Sequence, residues 1–125
     1  MRARVPTTIP PVLPVRFFGP RGVKELDALV DTGSTYVILS PDDAADLGYT
    51  LRRTRTVPVI TAGGIIHAPL LTVSAIMVLG FRRQRIPTLV KDVSSSGIEA
   101  ILGWSFLNRY RLTIDARRHW CELAD

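Results

Sequence analysis

Apolar positions along the chain come in short runs separated by turn-forming residues. Residues 15–18, 26–30, 36–39, 57–61, 65–79, 86–90, 100–102, 111–114 and 120–123 are rich in β-branched residues or leucine. That composition predicts strands. Between the runs lie Gly19-Pro20-Arg21-Gly22, Gly63-Gly64, Gly80, Ser94-Ser95-Ser96-Gly97 and Asp115-Ala116-Arg117, all combinations that favour turns. Only two places read as helix. Ser40-Pro41-Asp42-Asp43 supplies an N-cap, a proline at the first helical position and acids in the first turn, and Gly48 gives a stop after Leu47. Residues 103–109, with Trp104, Phe106 and Leu107, predict a second short helix. Residues 1–14 hold Pro6, Pro10, Pro11 and Pro14 and read as an extended N-terminal arm, leaving residues 15–125 as one mainly β domain.

A faint internal echo links Ala28-Leu29-Val30-Asp31 to Ala100-Ile101-Leu102-Gly103: alanine, two branched aliphatics, then an abrupt change of character. The chain has 125 residues, of which 46% are hydrophobic and 22% charged, enough for one core without metal or disulfide support. Cys121 is the single cysteine, which excludes an intramolecular disulfide and a multi-cysteine zinc site. No apolar run reaches the ~20 residues of a membrane span, and the prolines interrupt any signal-peptide core after Arg2 and Arg4. A cytoplasmic location is the expectation. The net charge of +5 comes from arginines grouped at Arg52, Arg53 and Arg55 and at Arg82, Arg83 and Arg85. These groups lack interleaved aromatics, so solvated loops and strand ends are favoured over a nucleic-acid platform.

The chemically informative segment is Leu29-Val30-Asp31-Thr32-Gly33-Ser34. An aspartate ending a buried apolar strand needs hydrogen-bond donors, and Thr32, Ser34 and the Gly33 amide are the nearest. The Ser34 hydroxyl would then favour the ionised carboxylate and pull a pH optimum downward. Asp-Thr-Gly-Ser is equally compatible with a plain turn in which the aspartate satisfies its own backbone.

Four features in order decide the reading: Ala28 to Ser34; Val37-Ile38-Leu39-Ser40-Pro41 leading into a helix; Thr61-Ala62-Gly63-Gly64 between two strands; and Ala100-Ile101-Leu102-Gly103 followed by Phe106-Leu107. Together they resemble the retropepsin-like aspartic proteases, the half-length relatives of pepsin, over about residues 15–123. The resemblance implies a mainly β, retropepsin-like acid-protease half-barrel with a flap hairpin and one or two short helices. It implies that Asp31 is the general acid/base, that Thr32 locks two loops across a dimer axis and that the Gly33 backbone meets substrate. Thr61, Ala62, Gly63 and Gly64 would form the flap tip. Ile101, Leu102 and Gly103 would pack across the catalytic loop as a structural second signature.

One carboxylate cannot serve as base and acid at the same moment, and the chain has one Asp-Thr-Gly. The implied enzyme is therefore an aspartic endopeptidase built as a homodimer, an Asp31 from each copy sharing one proton. The expected partners are a second copy and a peptide or protein substrate, with no nucleic acid, no membrane, no cofactor and no metal. Val37, Ile60, Ile65 and Leu70 are the expected apolar groove residues. The alternative is a catalytically silent dimerisation or peptide-binding module of the same fold.

The chain departs from the viral pattern. Viral members pair an arginine after the second-signature glycine with an aspartate two residues after the catalytic-loop glycine; Trp104 and Thr35 stand there instead, pointing to a bacterial or cellular type. Ser105 stands where many bacterial relatives carry an acid. His67 and His119 read as surface residues, Asp115 as a turn cap, Cys121 as structural, and Asp42 and Asp43 as complements to a helix N-terminus.

Overall fold

The structure, a computed structural model, describes residues 1–93 and 95–125. Ser94 lies outside the described residues, so the expected turn at 94–97 is seen from Ser95 onward, where Ser95 and Ile98 exchange backbone hydrogen bonds of 3.1 and 2.8 Å. In chain order the elements are β1 (Arg2–Pro6), β2 (Val12–Gly19), β3 (Gly22–Val30), β4 (Val37–Leu39), α1 (Pro41–Asp46), β5 (Thr56–Thr61), β6 (Gly64–Val78), β7 (Phe81–Val90), β8 (Ala100–Leu102), α2 (Trp104–Leu107), β9 (Arg111–Asp115) and β10 (Trp120–Ala124).

Six strands close on themselves in the order β2-β3-β8-β4-β7-β6, β6 returning to β2 through Val15↔Val78 to Phe18↔Ala75. Closure removes exposed sheet edges from the barrel. Alternation then separates inside from outside. Along β2, Leu13, Val15 and Phe17 are buried while Pro14 and Arg16 face out; along β3, Leu26, Ala28 and Val30 are buried while Glu25 and Asp27 face out. The 15 residues of β6 serve two structures. Its second half pairs with β7, and its first half leaves the barrel to form a hairpin with β5, from Thr56↔Pro69 to Thr61↔Gly64.

The echo between the two Ala-aliphatic-aliphatic segments is a physical pairing. β3 and β8 lie parallel with Ala28↔Ala100, Leu29↔Ile101 and Val30↔Leu102 in register. Asp31 continues it, its N–H donating to the Leu102 carbonyl at 3.1 Å.

The proline-rich stretch is extended, and both of its ends belong to sheets. β1 is an edge of the sheet β1-β10-β9, a position where the missing N–H of Pro6 is tolerated. Pro14 lies in the part of β2 that pairs with β3 only, β6 joining at Val15. Between them the Thr7 hydroxyl donates to the Val12 carbonyl and accepts the Val12 N–H, at 2.9 and 3.0 Å.

The helices are shorter than the sequence pattern suggests but start where expected. Ser40 caps α1, its hydroxyl accepting the Asp43 N–H and donating to the Asp43 carboxylate, and Gly48 follows the C-cap at φ +91°. Lys24 reaches from β3 to Asp43 and Asp46, 2.6 Å from each, and ties α1 to the barrel. Asp115 caps the β9–β10 turn by accepting the Arg118 N–H at 2.9 Å. Cys121 is fully buried, and burial pushes its thiol pKa up. Among the described residues no helix is long and apolar enough to cross a membrane.

Candidate active site

β3 delivers Asp31 to the mouth of the barrel, and the loop to β4 is held by backbone and side-chain hydrogen bonds. The Gly33 N–H donates to Asp31 Oδ1 at 2.9 Å, and the Ser34 N–H to the Asp31 carbonyl at 3.2 Å. The other carboxylate oxygen takes no hydrogen bond from the described residues. Thr32 is exposed, and neither its hydroxyl nor that of Ser34 reaches Asp31. The Ser34 hydroxyl, expected to support the carboxylate, donates instead to the Tyr36 carbonyl at 2.7 Å. The loop turns the Ser34 side chain toward its own backbone two residues on. A lowered pH optimum through Ser34 therefore has no basis in this geometry.

The rest of the loop is secured by α2. A helix leaves its first N–H groups without internal partners. Here those of Trp104 and Ser105 donate to the Ser34 and Thr35 carbonyls, each at 2.9 Å. The Trp104 indole donates to the Thr32 carbonyl at 2.6 Å, and the Ser105 hydroxyl accepts the Val37 N–H at 2.8 Å. Neutral hydrogen bonds thus occupy the place of the viral arginine–aspartate pair. Sequence reasoning identified Trp104 and Ser105 only as departures from a pattern, since nothing local indicates that an indole will reach across to residue 32.

Close packing completes the arrangement. Ile101, Leu102 and Gly103 are buried behind the loop, and a Cβ on Gly103 would collide with the carbonyl oxygens of Tyr36 and Ser34. Behind α2 lies Arg83 of β7. Its Nη1 donates to the carbonyls of Ser105 and Phe106 and, at 2.9 Å, to Asn108 Oδ1, so it caps the end of the helix that holds the loop. Burial, with Arg109 beside it, lowers the Arg83 pKa from the usual arginine range.

Asp31, Gly33 and Ser34 open onto a cleft of about 460 Å³. Its floor includes Tyr36, Ile38 and Leu89, and Pro58 to Thr61 of the β5–β6 hairpin form the opposite wall. Ala62, Gly63 and Gly64 are at the exposed hairpin tip, outside this lining, with Gly64 at φ +118° and the Thr61 hydroxyl donating to the Gly64 carbonyl at 2.7 Å. The apolar groove differs from expectation in one strand. Val37 is fully buried in the core, and its neighbour Ile38 faces the cleft. Ile60 lines the cleft as expected, whereas Ile65 and Leu70 are outside the lining.

His67 and His119 are both exposed. Among the described residues no group of three or more histidine, cysteine, aspartate or glutamate side chains could hold a metal ion.

The aspartyl protease family model matches residues 13–106, which includes the Asp31 loop, the hairpin and the Gly103 strand. No curated protein matches the sequence. Among solved structures, a retropepsin-like aspartic protease from Rickettsia conorii superposes with a TM-score of 0.72 at 23% identity, covering 98% of both chains. The closed β barrel with two short helices is thus a retropepsin-like fold.

Proposed function

The chain belongs to the aspartyl protease family, and on that premise we propose that it is an aspartic endopeptidase, active as a homodimer in which two Asp31 carboxylates share one proton. The observation that supports this most directly is the Asp31 loop itself. Its carboxylate is fastened at one oxygen by the Gly33 N–H and borders a cleft of about 460 Å³.

The chemistry follows from the pairing. The ionised carboxylate takes a proton from water as the water oxygen attacks the peptide carbon. The protonated partner hydrogen-bonds the carbonyl oxygen as charge develops on it. The proton gained from water then passes to the departing nitrogen, and the C–N bond breaks. The mechanism needs one proton on the pair, so activity belongs to an acidic to mildly acidic range. The β5–β6 hairpin acts as the flap: its wall residues would lie over a bound strand, exclude water and supply backbone hydrogen bonds along it.

The test is peptide-library cleavage from about pH 3 to 7, read by mass spectrometry, with wild type and Asp31→Ala in parallel and the oligomeric state measured by sedimentation. Cuts that disappear in the variant are expected. A folded, dimeric wild type that cuts nothing overturns the peptidase reading and leaves a peptide-binding module.

A further inference from the structure

The cleft holds one cationic side chain among its described lining residues, Lys91. Its backbone is fixed, because its N–H donates to the Leu39 carbonyl at 3.0 Å and so extends the parallel β4–β7 pairing beyond Leu39↔Val90. Side chains alternate along a strand, which sets Lys91 on the face of Leu89. Leu89 and its register partner Ile38 both line the cleft, while Val90 between Leu89 and Lys91 is in the core. The chain's two lysines contrast in their pairing. Lys24 is held by two carboxylates, whereas Lys91 forms no ion pair among the described residues, though it is half-buried.

Lys91 shares the cleft with one described carboxylate, Asp31, yet pairs with no acid among the described residues, so a carboxylate brought by the ligand gives it a partner. We propose that Lys91 is a specificity-determining residue that selects substrates carrying an acidic side chain. This rests on the peptidase reading of the same cleft. Strand register also separates Lys91 from the reacting centre: Asp31 stands level with Pro87 of β7 and Lys91 lies four residues further along, so the acidic residue belongs several positions from the cleaved bond rather than beside it. Two-fold symmetry provides a Lys91 on each side of that bond.

The test uses peptide libraries with glutamate or glutamine at each position, at about pH 6, where glutamate is ionised. They are read as kcat/KM with the wild type and as anisotropy Kd with Asp31→Asn, which binds without turnover. Glutamate should be favoured by about fivefold at one position several residues from the cut, and the preference should shrink as salt rises. Lys91→Gln should abolish it. Lys91→Glu should reverse it in favour of lysine, with circular dichroism showing that both variants fold. A glutamate-to-glutamine ratio within about twofold at every position, or a preference that survives Lys91→Glu, overturns the assignment. If nothing is cut but glutamate peptides still bind Asp31→Asn better and lose that advantage with Lys91→Glu, the peptidase reading falls and the role of Lys91 stands. Neither cutting nor binding overturns both.

Discussion

A Cβ on Gly103 would stand 2.6 Å from the Ser34 carbonyl oxygen, closer than non-bonded carbon and oxygen approach. The second-signature strand and the Asp31 loop are therefore in backbone contact, and the absence of a side chain at 103 is what lets α2 begin close enough to donate to residues 34 and 35. Gly103→Ala should lower stability by about 2–3 kcal/mol in urea unfolding, since the opposing atoms are main chain and cannot rotate away. Cleavage should fall with it.

Trp104→Phe retains an aromatic ring and removes the indole donor to the Thr32 carbonyl. The stability loss should be modest, about 1 kcal/mol, because the ring is partly exposed and water can replace the donor. The effect on kcat should exceed the effect on KM, since the loop that sets the two Asp31 carboxylates loosens while the cleft walls remain. Steady-state kinetics on one library-derived peptide separates the two.

Arg83→Met strips the donors from the end of α2 and leaves the Ser105 and Phe106 carbonyls unpaired by it. We expect a loss of about 2 kcal/mol by chemical denaturation. Arg83→Lys should recover part of it, because all three contacts come from the one nitrogen Nη1, whose place an ammonium on a shorter stem fills incompletely.

Stability should fall above neutrality in two legs. Burial holds the Cys121 thiol protonated beyond its unfolded pKa, so the unfolded state loses that proton first. The contribution is complete below about pH 8.5 and declines above it. Hydrogen bonds donated to Asp43 and Asp46 raise the Lys24 pKa and burial raises that of the Tyr110 phenol, so their contributions are complete below about pH 10 and are lost beyond. Urea midpoints across the alkaline range check this: Cys121→Ala should flatten the first leg, and Lys24→Met should shrink the second to the part that Tyr110 supplies. In the native protein at about pH 8, Ellman's reagent should react with Cys121 only at the rate of global opening.

Ser40, Pro41 and Gly48 mark α1 from sequence because capping is a matter of residues within a few positions of one another, and the same holds for Asp115 and its turn. The Asp31-Thr32-Gly33-Ser34 loop and the Ala28/Ala100 echo were legible for the same reason: each is a short pattern whose chemistry is nearly self-contained. What tertiary structure decided involves choices between distant partners. Residues 2–6 became a strand only because β10 offers them an edge. Ile38 rather than Val37 faces the cleft because barrel closure sets the parity of β4, and a strand of three residues carries too few alternations to declare it. The Ser34 hydroxyl turned to Tyr36, Trp104 reached Thr32, and Arg83 took up the end of α2, each through contacts that exist only once β3, β8 and β7 are brought side by side. Local pattern therefore determined most of the elements and the candidate acid, and long-range strand pairing determined β1 and which side chains surround the site.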